Sequence, residues 1–156
     1  MKPLRHLRAD RVLLQMRATR KAAAIRELAE QLQDAPEIPD LRRFVSAVLQ
    51  KESRFGSGVG KGVALPHYRD DAVQEPVVCI GLSRQGIAWD DGEEVNILVL
   101  IGWPLKHDQA YLKTVADLAR VLHLKPVRDQ LLEAGDASEV MEILSSEGAP
   151  SEQISC

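Results

Sequence analysis

From Gly56 to Gly62 every second residue is glycine. Glycine loses more backbone freedom on ordering than any other residue and costs about 1 kcal/mol relative to alanine inside a helix. No stable helix would choose that stretch, so the chain must change its kind of structure there. Before it, apolar residues recur at helical spacing. Ile25, Leu28, Ala29 and Leu32 share one helical face, with Thr19 as the expected cap. Leu41, Val45, Val48 and Leu49 share another, with Phe44 alongside and Asp40 as cap, and this helix is expected to end near Ser53.

After the glycines the period shortens. Val77, Val78, Cys79, Ile80 and Leu82 form one apolar run, and Val95, Ile97, Leu98, Val99, Leu100 and Ile101 form another, closed by Gly102 and Pro104. Both read as buried strands. Trp89-Asp90-Asp91-Gly92 between them carries an Asp-Gly turn signal. The last third is helical again. Asp108 is placed to cap a helix bearing Leu112, Val115, Leu118, Ala119 and Leu122. Pro126 opens a helix with Val127, Leu131 and Leu132 inward, closed by Gly135. Asp136 and Glu139 form a capping pair for a last helix through Val140, Ile143 and Leu144. The order of helices, strands, then helices predicts an α/β fold with helices packed on a mixed sheet. One domain is expected over residues 1–148, with a flexible tail over 149–156.

A chain of 156 residues, 45% apolar and 28% charged, is long enough for one sizeable core. Its net charge of −3 argues against a general nucleic-acid binder. The longest apolar stretch, Val95 to Leu105, is too short to span a bilayer, and no apolar leader follows the basic N-terminus. Cys79 reads as a small core residue, Cys156 is terminal, and the pair supports neither a disulfide framework nor a zinc site. A reduced, cytoplasmic chain is expected, with no membrane insertion, nucleic acid, metal or cofactor. Charge is uneven along it. Residues 1–25 carry Lys2, Arg5, Arg8, Arg11, Arg17, Arg20 and Lys21 against Asp10 alone, whereas 129–156 carry acids and no Lys or Arg. Two readings stay open: solvated helix faces, or docking surfaces of one sign.

Chemistry points to the segment ending in His67. Gly62 stands where a Walker loop needs Ser or Thr after Lys61. Val63 stands where a dinucleotide fingerprint needs its third glycine, and Phe55 and Val59 flank Ser57 where a nucleophile elbow needs glycines. What remains is a glycine loop running into an extended Leu65-Pro66-His67. The residue before proline is biased to extended backbone, and proline fixes its own φ. His67 is thereby held with little backbone freedom at a strand end. A neutral imidazole is a competent nucleophile near neutral pH. From spacing alone, a purely structural Pro-His turn competes with that reading. His6 is expected to be exposed, His123 to close a helix, and Trp89 and Trp103 to pack at strand ends.

Gly58-Val59-Gly60-Lys61-Gly62-Val63-Ala64-Leu65-Pro66-His67 resembles the signature T-G-I-G-x-G-I-A-I-P-H of the fructose/mannitol/nitrogen-type EIIA domains of the bacterial phosphoenolpyruvate-dependent phosphotransferase system. The resemblance runs from about Leu4 to Leu144 and includes the helix before the motif and the Tyr111–Ala119 helix. It implies a three-layer fold, a mixed β-sheet flanked by helices on both faces. It implies a phosphocarrier in which His67 takes a phosphoryl group from phospho-HPr. The group then passes to an EIIB domain or, in nitrogen-type relatives, governs binding to regulatory targets such as kinases and transporters. The chain departs from the family pattern at several positions. Lys51 stands before Glu52 where Arg is common, with Arg54 as a substitute nearby. Ser57 replaces the usual Thr, and Tyr111 stands where many members carry a second His, with His107 one helical turn earlier. Lys51, Ser57 and Tyr111 are the implied supports of the phosphoryl group. Lys supplies charge without the planar grip of a guanidinium, and Tyr an O–H without charge.

Overall fold

The two apolar runs alternate, and the alternation decides the layers. In the computed structural model, which describes residues 3–106 and 108–154, the runs become β5 (Val77–Ala88) and β6 (Glu94–Trp103), paired antiparallel at the sheet centre. Successive side chains of a strand point to opposite faces. Val78, Ile80, Ile97, Val99, Ile101 and Trp103 therefore pack on one face, and Val77, Cys79, Leu98 and Leu100 on the other. Both faces are covered. Helices α1 (Lys21–Ala29) and α2 (Leu41–Arg54) bury Ile25, Leu28 and Phe44 against the second set. Helices α3 (Asp108–Leu122), α4 (Lys125–Glu133) and α5 (Ala137–Ile154) bury Leu118, Val121, Leu131 and Leu144 against the first. The result is the expected α/β architecture, a mixed sheet between two helical layers.

Among the described residues the sheet has six strands, adding β1 (Leu7–Leu13), β2 (Gly58–Gly60), β3 (Val63–Ala64) and β4 (His67–Arg69). Its order is β1-β5-β6-β3-β2, with β4 also paired to β6. β1 runs parallel to β5, and β3 and β4 run parallel to β6. Val63 pairs with Ile97, Ala64 with Leu98 and His67 with Ile101, so the register is the same before and after Leu65-Pro66. β3 and β4 are one line of chain, interrupted where Pro66 has no N–H to give. The Pro66 carbonyl still accepts from Ile101 N–H at 2.9 Å.

Several expectations need correction. Residues 7–13 are an edge strand rather than a helix face, because pairing with β5 outweighs weak local preference. Arg11 is buried there, and its guanidinium donates to Glu37 Oε1 at 3.0 Å. α1 starts after Arg20 with no side-chain cap, and Thr19 instead lends its carbonyl to Ala88 N–H. On α2, Phe44, Val48 and Glu52 are buried, while Leu41, Val45 and Leu49 are only partly so. On α3, Leu112 is exposed, and Tyr111 and Thr114 take the inward positions. His6 is half-buried, its ring edge-on to Trp103 at 5.1 Å, and burial with the neighbouring Arg5 charge lowers its pKa. The backbone of α5 runs from Ala137 to Ile154. An existing helix extends without a new nucleation cost. Residues 155–156 and His107 lie outside the described residues.

Other local readings agree with the structure. Asp40 Oδ1 accepts Arg43 N–H at 3.1 Å, capping α2. Asp136 Oδ1 accepts Glu139 N–H at 2.9 Å before α5. Cys79 is fully buried, and burial pushes its thiol up to about 12. Asp129, Glu133, Asp136, Glu139 and Glu142 are solvent-facing. No helix among the described residues is long and apolar enough to cross a membrane.

Candidate active site around His67

His67 is the first residue of β4, fixed by its neighbours on the chain. Its Nδ1 lies 2.6 Å from the Leu65 carbonyl oxygen. A carbonyl only accepts, so in the neutral ring Nδ1 carries the proton and Nε2 holds the free lone pair. Burial lowers the His67 pKa below the ordinary 6.5. The Leu65 hydrogen bond opposes that shift, the Lys51 ammonium adds to it, and the Glu52 carboxylate opposes it. The balance favours an uncharged ring, the form that can act as a nucleophile.

Beside His67 lies a hollow of about 160 Å³ lined by Lys51, Glu52, Phe55, Gly56 and Ser57. A water occupies about 30 Å³ of liquid, so the hollow has room for a group of phosphoryl size. The glycine loop builds one side of it. β2 and β3 form an antiparallel hairpin whose turn runs through Gly60, Lys61 and Gly62, all with positive φ. Gly62, at φ +77°, takes a left-handed backbone that side chains rarely adopt. Lys61 is exposed at this turn, and the charges acting on His67 are those of Lys51 and Glu52.

Lys51 and Ser57 line this hollow together with His67. Lys51 Nζ donates to the His67 backbone carbonyl at 2.9 Å. Burial lowers the Lys51 pKa, opposed by Glu52. Ser57 is held by both backbone groups: its N–H donates to Glu52 Oε2 at 2.8 Å, and its carbonyl accepts Leu65 N–H at 3.0 Å. Its Oγ is buried and has no hydrogen-bond partner. An unmatched buried hydroxyl is costly, and here it leaves a donor without an acceptor at the hollow. Tyr111 reaches the imidazole from α3 instead, its ring centroid 5.8 Å from that of His67. Burial pushes its hydroxyl up to about 12, opposed by Arg69, so the O–H stays protonated. Arg54 ends α2 in an exposed position and does not line the hollow.

Sequence reasoning gave no role in the site to Glu52 or Arg69. Glu52 is 5% exposed and follows Phe44 and Val48 on the buried stripe of α2. A carboxylate on that stripe must find partners, and the helical period was the signal for it. Arg69 follows His67 by two in β4 and so shares its face. Its guanidinium carbon lies 5.9 Å from the Tyr111 ring centroid, and Nη1 donates to the Leu105 carbonyl at 3.1 Å.

The family described as "Phosphoenolpyruvate-dependent sugar phosphotransferase system, EIIA 2" matches residues 5–147. The PTS system fructose-specific EIIA component of Haloferax volcanii is 32% identical over 127 residues, 80% of this chain and 82% of that protein. The fructose-specific EIIABC component of Bacillus subtilis is 26% identical over 86% of this chain, which spans only 21% of that relative's length. Among solved structures, the nitrogen regulatory protein IIA-Ntr of Neisseria meningitidis superposes with a TM-score of 0.81 at 23% identity, covering 88% of this chain and 94% of its own. The mannitol enzyme IIA of Escherichia coli, solved in complex with phosphorylated enzyme IIB, gives a TM-score of 0.77 at 22% identity over 90% of this chain and 97% of that one. The match across 5–147, on a sheet that displays His67 beside a phosphoryl-sized hollow, shows that this chain belongs to the EIIA type-2 family of the phosphoenolpyruvate-dependent sugar phosphotransferase system.

Proposed function

We propose that this protein is a phosphocarrier that takes a phosphoryl group on His67 from phospho-HPr and passes it to an EIIB domain. The observation that carries the reading is the Nδ1 contact with the Leu65 carbonyl, which leaves Nε2 as the nucleophile. In the transfer, the donor's P–N bond breaks as the Nε2–P bond forms, and the bonding pair returns to the donor imidazole. The proton stays on Nδ1, donated in the hydrogen bond to the Leu65 carbonyl. Charge spreads over the phosphoryl oxygens in the transition state, so donors already in place supply most of the catalysis. Ser57 Oγ and the Lys51 ammonium are those donors in the hollow, and the Tyr111 hydroxyl serves from the α3 side. Lys51 must exchange its His67 carbonyl for a phosphoryl oxygen, which makes it a charge donor and not a rigid clamp.

The sugar-transport reading is preferred to a purely regulatory one because the Haloferax volcanii relative, at 32% identity, carries a fructose-specific name. The test is direct. The protein is incubated with phosphoenolpyruvate, enzyme I and HPr, and its intact mass is followed. Wild type should gain one phosphoryl group and His67→Ala none. A wild type that stays unmodified, or a His67→Ala variant that is modified equally, overturns the reading. Discharge of the phosphorylated form by an EIIB domain, but not by buffer, separates transfer from a regulatory end point.

A further inference from the structure

Lys21 opens α1, far along the chain from His67, and is not among the residues that line the hollow. Its ammonium nevertheless lies where the elements around the glycine loop meet. Nζ donates to Asp90 Oδ1 at 2.7 Å and Oδ2 at 2.9 Å, in the turn between β5 and β6. It pairs with Glu52 Oε2 at 3.0 Å and donates to the Glu52 carbonyl at 3.4 Å. The Trp89 ring covers it, with its centroid at 5.3 Å. Glu52 Oε2 is also the oxygen that accepts Ser57 N–H. A single carboxylate oxygen thus connects Lys21 to the loop. The loop approaches the same cluster at Gly56, where a Cβ would fall 2.6 Å from Asp90 Oδ2 and 3.9 Å from Glu52 Oε2. Glycine there lets the loop sit directly on the ion cluster.

The charge arrangement has a consequence for the hollow. The Glu52 side chain is 4% exposed and lines the space that an incoming phosphoryl group, with a charge of about −1.5 to −2, would enter. A buried carboxylate without its cation either repels that group or takes a proton and rearranges. We propose that Lys21 is a positioning residue for phosphoryl transfer at His67: it holds the Glu52 carboxylate under Ser57 and offsets its charge beside the incoming phosphoryl group. The kinetic part rests on the phosphocarrier reading, whereas the anchoring of Ser57 through Glu52 does not.

The experiment compares Lys21→Met, Lys21→Arg and Glu52→Gln in the full chain, with two readouts. Amide hydrogen exchange at Ser57 reports the anchor. Single-turnover phosphorylation of His67 by phospho-HPr reports transfer. Lys21→Met should speed Ser57 exchange and slow phosphorylation, each by about tenfold, with half-saturating HPr unchanged. Lys21→Arg, which keeps the charge, should restore most of both. Added to Glu52→Gln, Lys21→Met should change the rate by less than about twofold, because Lys21 acts through Glu52. Lys21→Gln runs in parallel and carries the same expectation if Lys21→Met does not fold. Unchanged Ser57 exchange in the uncharged variants overturns the proposal. So does a slowed rate that Lys21→Arg fails to restore, or one expressed as weaker HPr saturation. If wild-type protein takes no phosphate, the phosphocarrier reading and the kinetic part fall together, and Ser57 exchange still decides the anchor.

Discussion

The proposed role asks two things of His67 that usually conflict: a ring shielded enough to stay neutral and open enough to meet another protein. Burial does the first, and its position at the start of β4 beside an open hollow does the second. The lowered pKa has a defined consequence for pH dependence. Between the depressed folded value and the ordinary 6.5, the unfolded chain binds a proton at this site that the folded chain refuses. The stability contribution of His67 is therefore fully present above 6.5 and is lost as pH falls through the folded value. The same neutrality governs reactivity. The acid limb of the phosphorylation rate, followed by mass against pH, should have its midpoint below 6.5, and NMR titration of the ring should give the same midpoint. A midpoint above 6.5 would mean that burial does not dominate. His67 was legible because Pro66 and the glycines before it announce a constrained histidine. Glu52 was not, because the helical period marks its position as buried but cannot say that its partners come from α1 and the loop.

At the scale of elements, the glycine loop and the broken strand behind it are one device. The hairpin β2–β3 turns through left-handed residues, and the line β3–β4 keeps a single register on β6 across Leu65-Pro66. The hairpin therefore sets where Leu65 lies, and Leu65 sets the imidazole through its carbonyl. Gly62→Ala tests the first link. Its backbone at φ +77° disfavours a Cβ, which would also meet Asn96 Oδ1 at 3.0 Å. The variant should lose about 1–2 kcal/mol in denaturant unfolding. The alternating glycines were legible as a place where helix must stop. Their division into a hairpin was not, since the strands exist only by pairing with β6 and with each other. For α2 the cap at Asp40 was legible and the buried stripe was misplaced by one row. Leu41, Val45 and Leu49 have the period of a buried face, but Phe44 takes the inward position because it fills the space above Gly102.

At the scale of the molecule, the sheet separates two cores, and each helical layer covers one of them. The layer of α1 and α2 carries Lys51, Glu52 and the start of the glycine loop, while the layer of α3 to α5 carries Tyr111. The site thus lies where both layers meet the ends of the central strands, and its geometry depends on how α2 seats on the sheet. Phe44 is the wedge of that seat: it is fully buried, and its Cζ would lie 2.9 Å from a Cβ at Gly102. Phe44→Ala should cost about 3–5 kcal/mol, read as a lower denaturation midpoint at unchanged slope. A loss under about 1 kcal/mol would show that α2 is held mainly by other contacts. By itself the sequence determined the α/β class, the central strand pair, the caps of α2 and α5, and the constrained histidine on which the proposed function rests. Those features are set by local period, backbone preference and a short motif. Only the tertiary structure decided that residues 7–13 are a strand, that Leu112 faces solvent while Tyr111 turns inward, and that Lys21, Glu52 and Asp90 converge beneath the loop. Each of those depends on partners distant in sequence, and local propensity is too weak to fix a choice that burial and charge pairing across the fold make together.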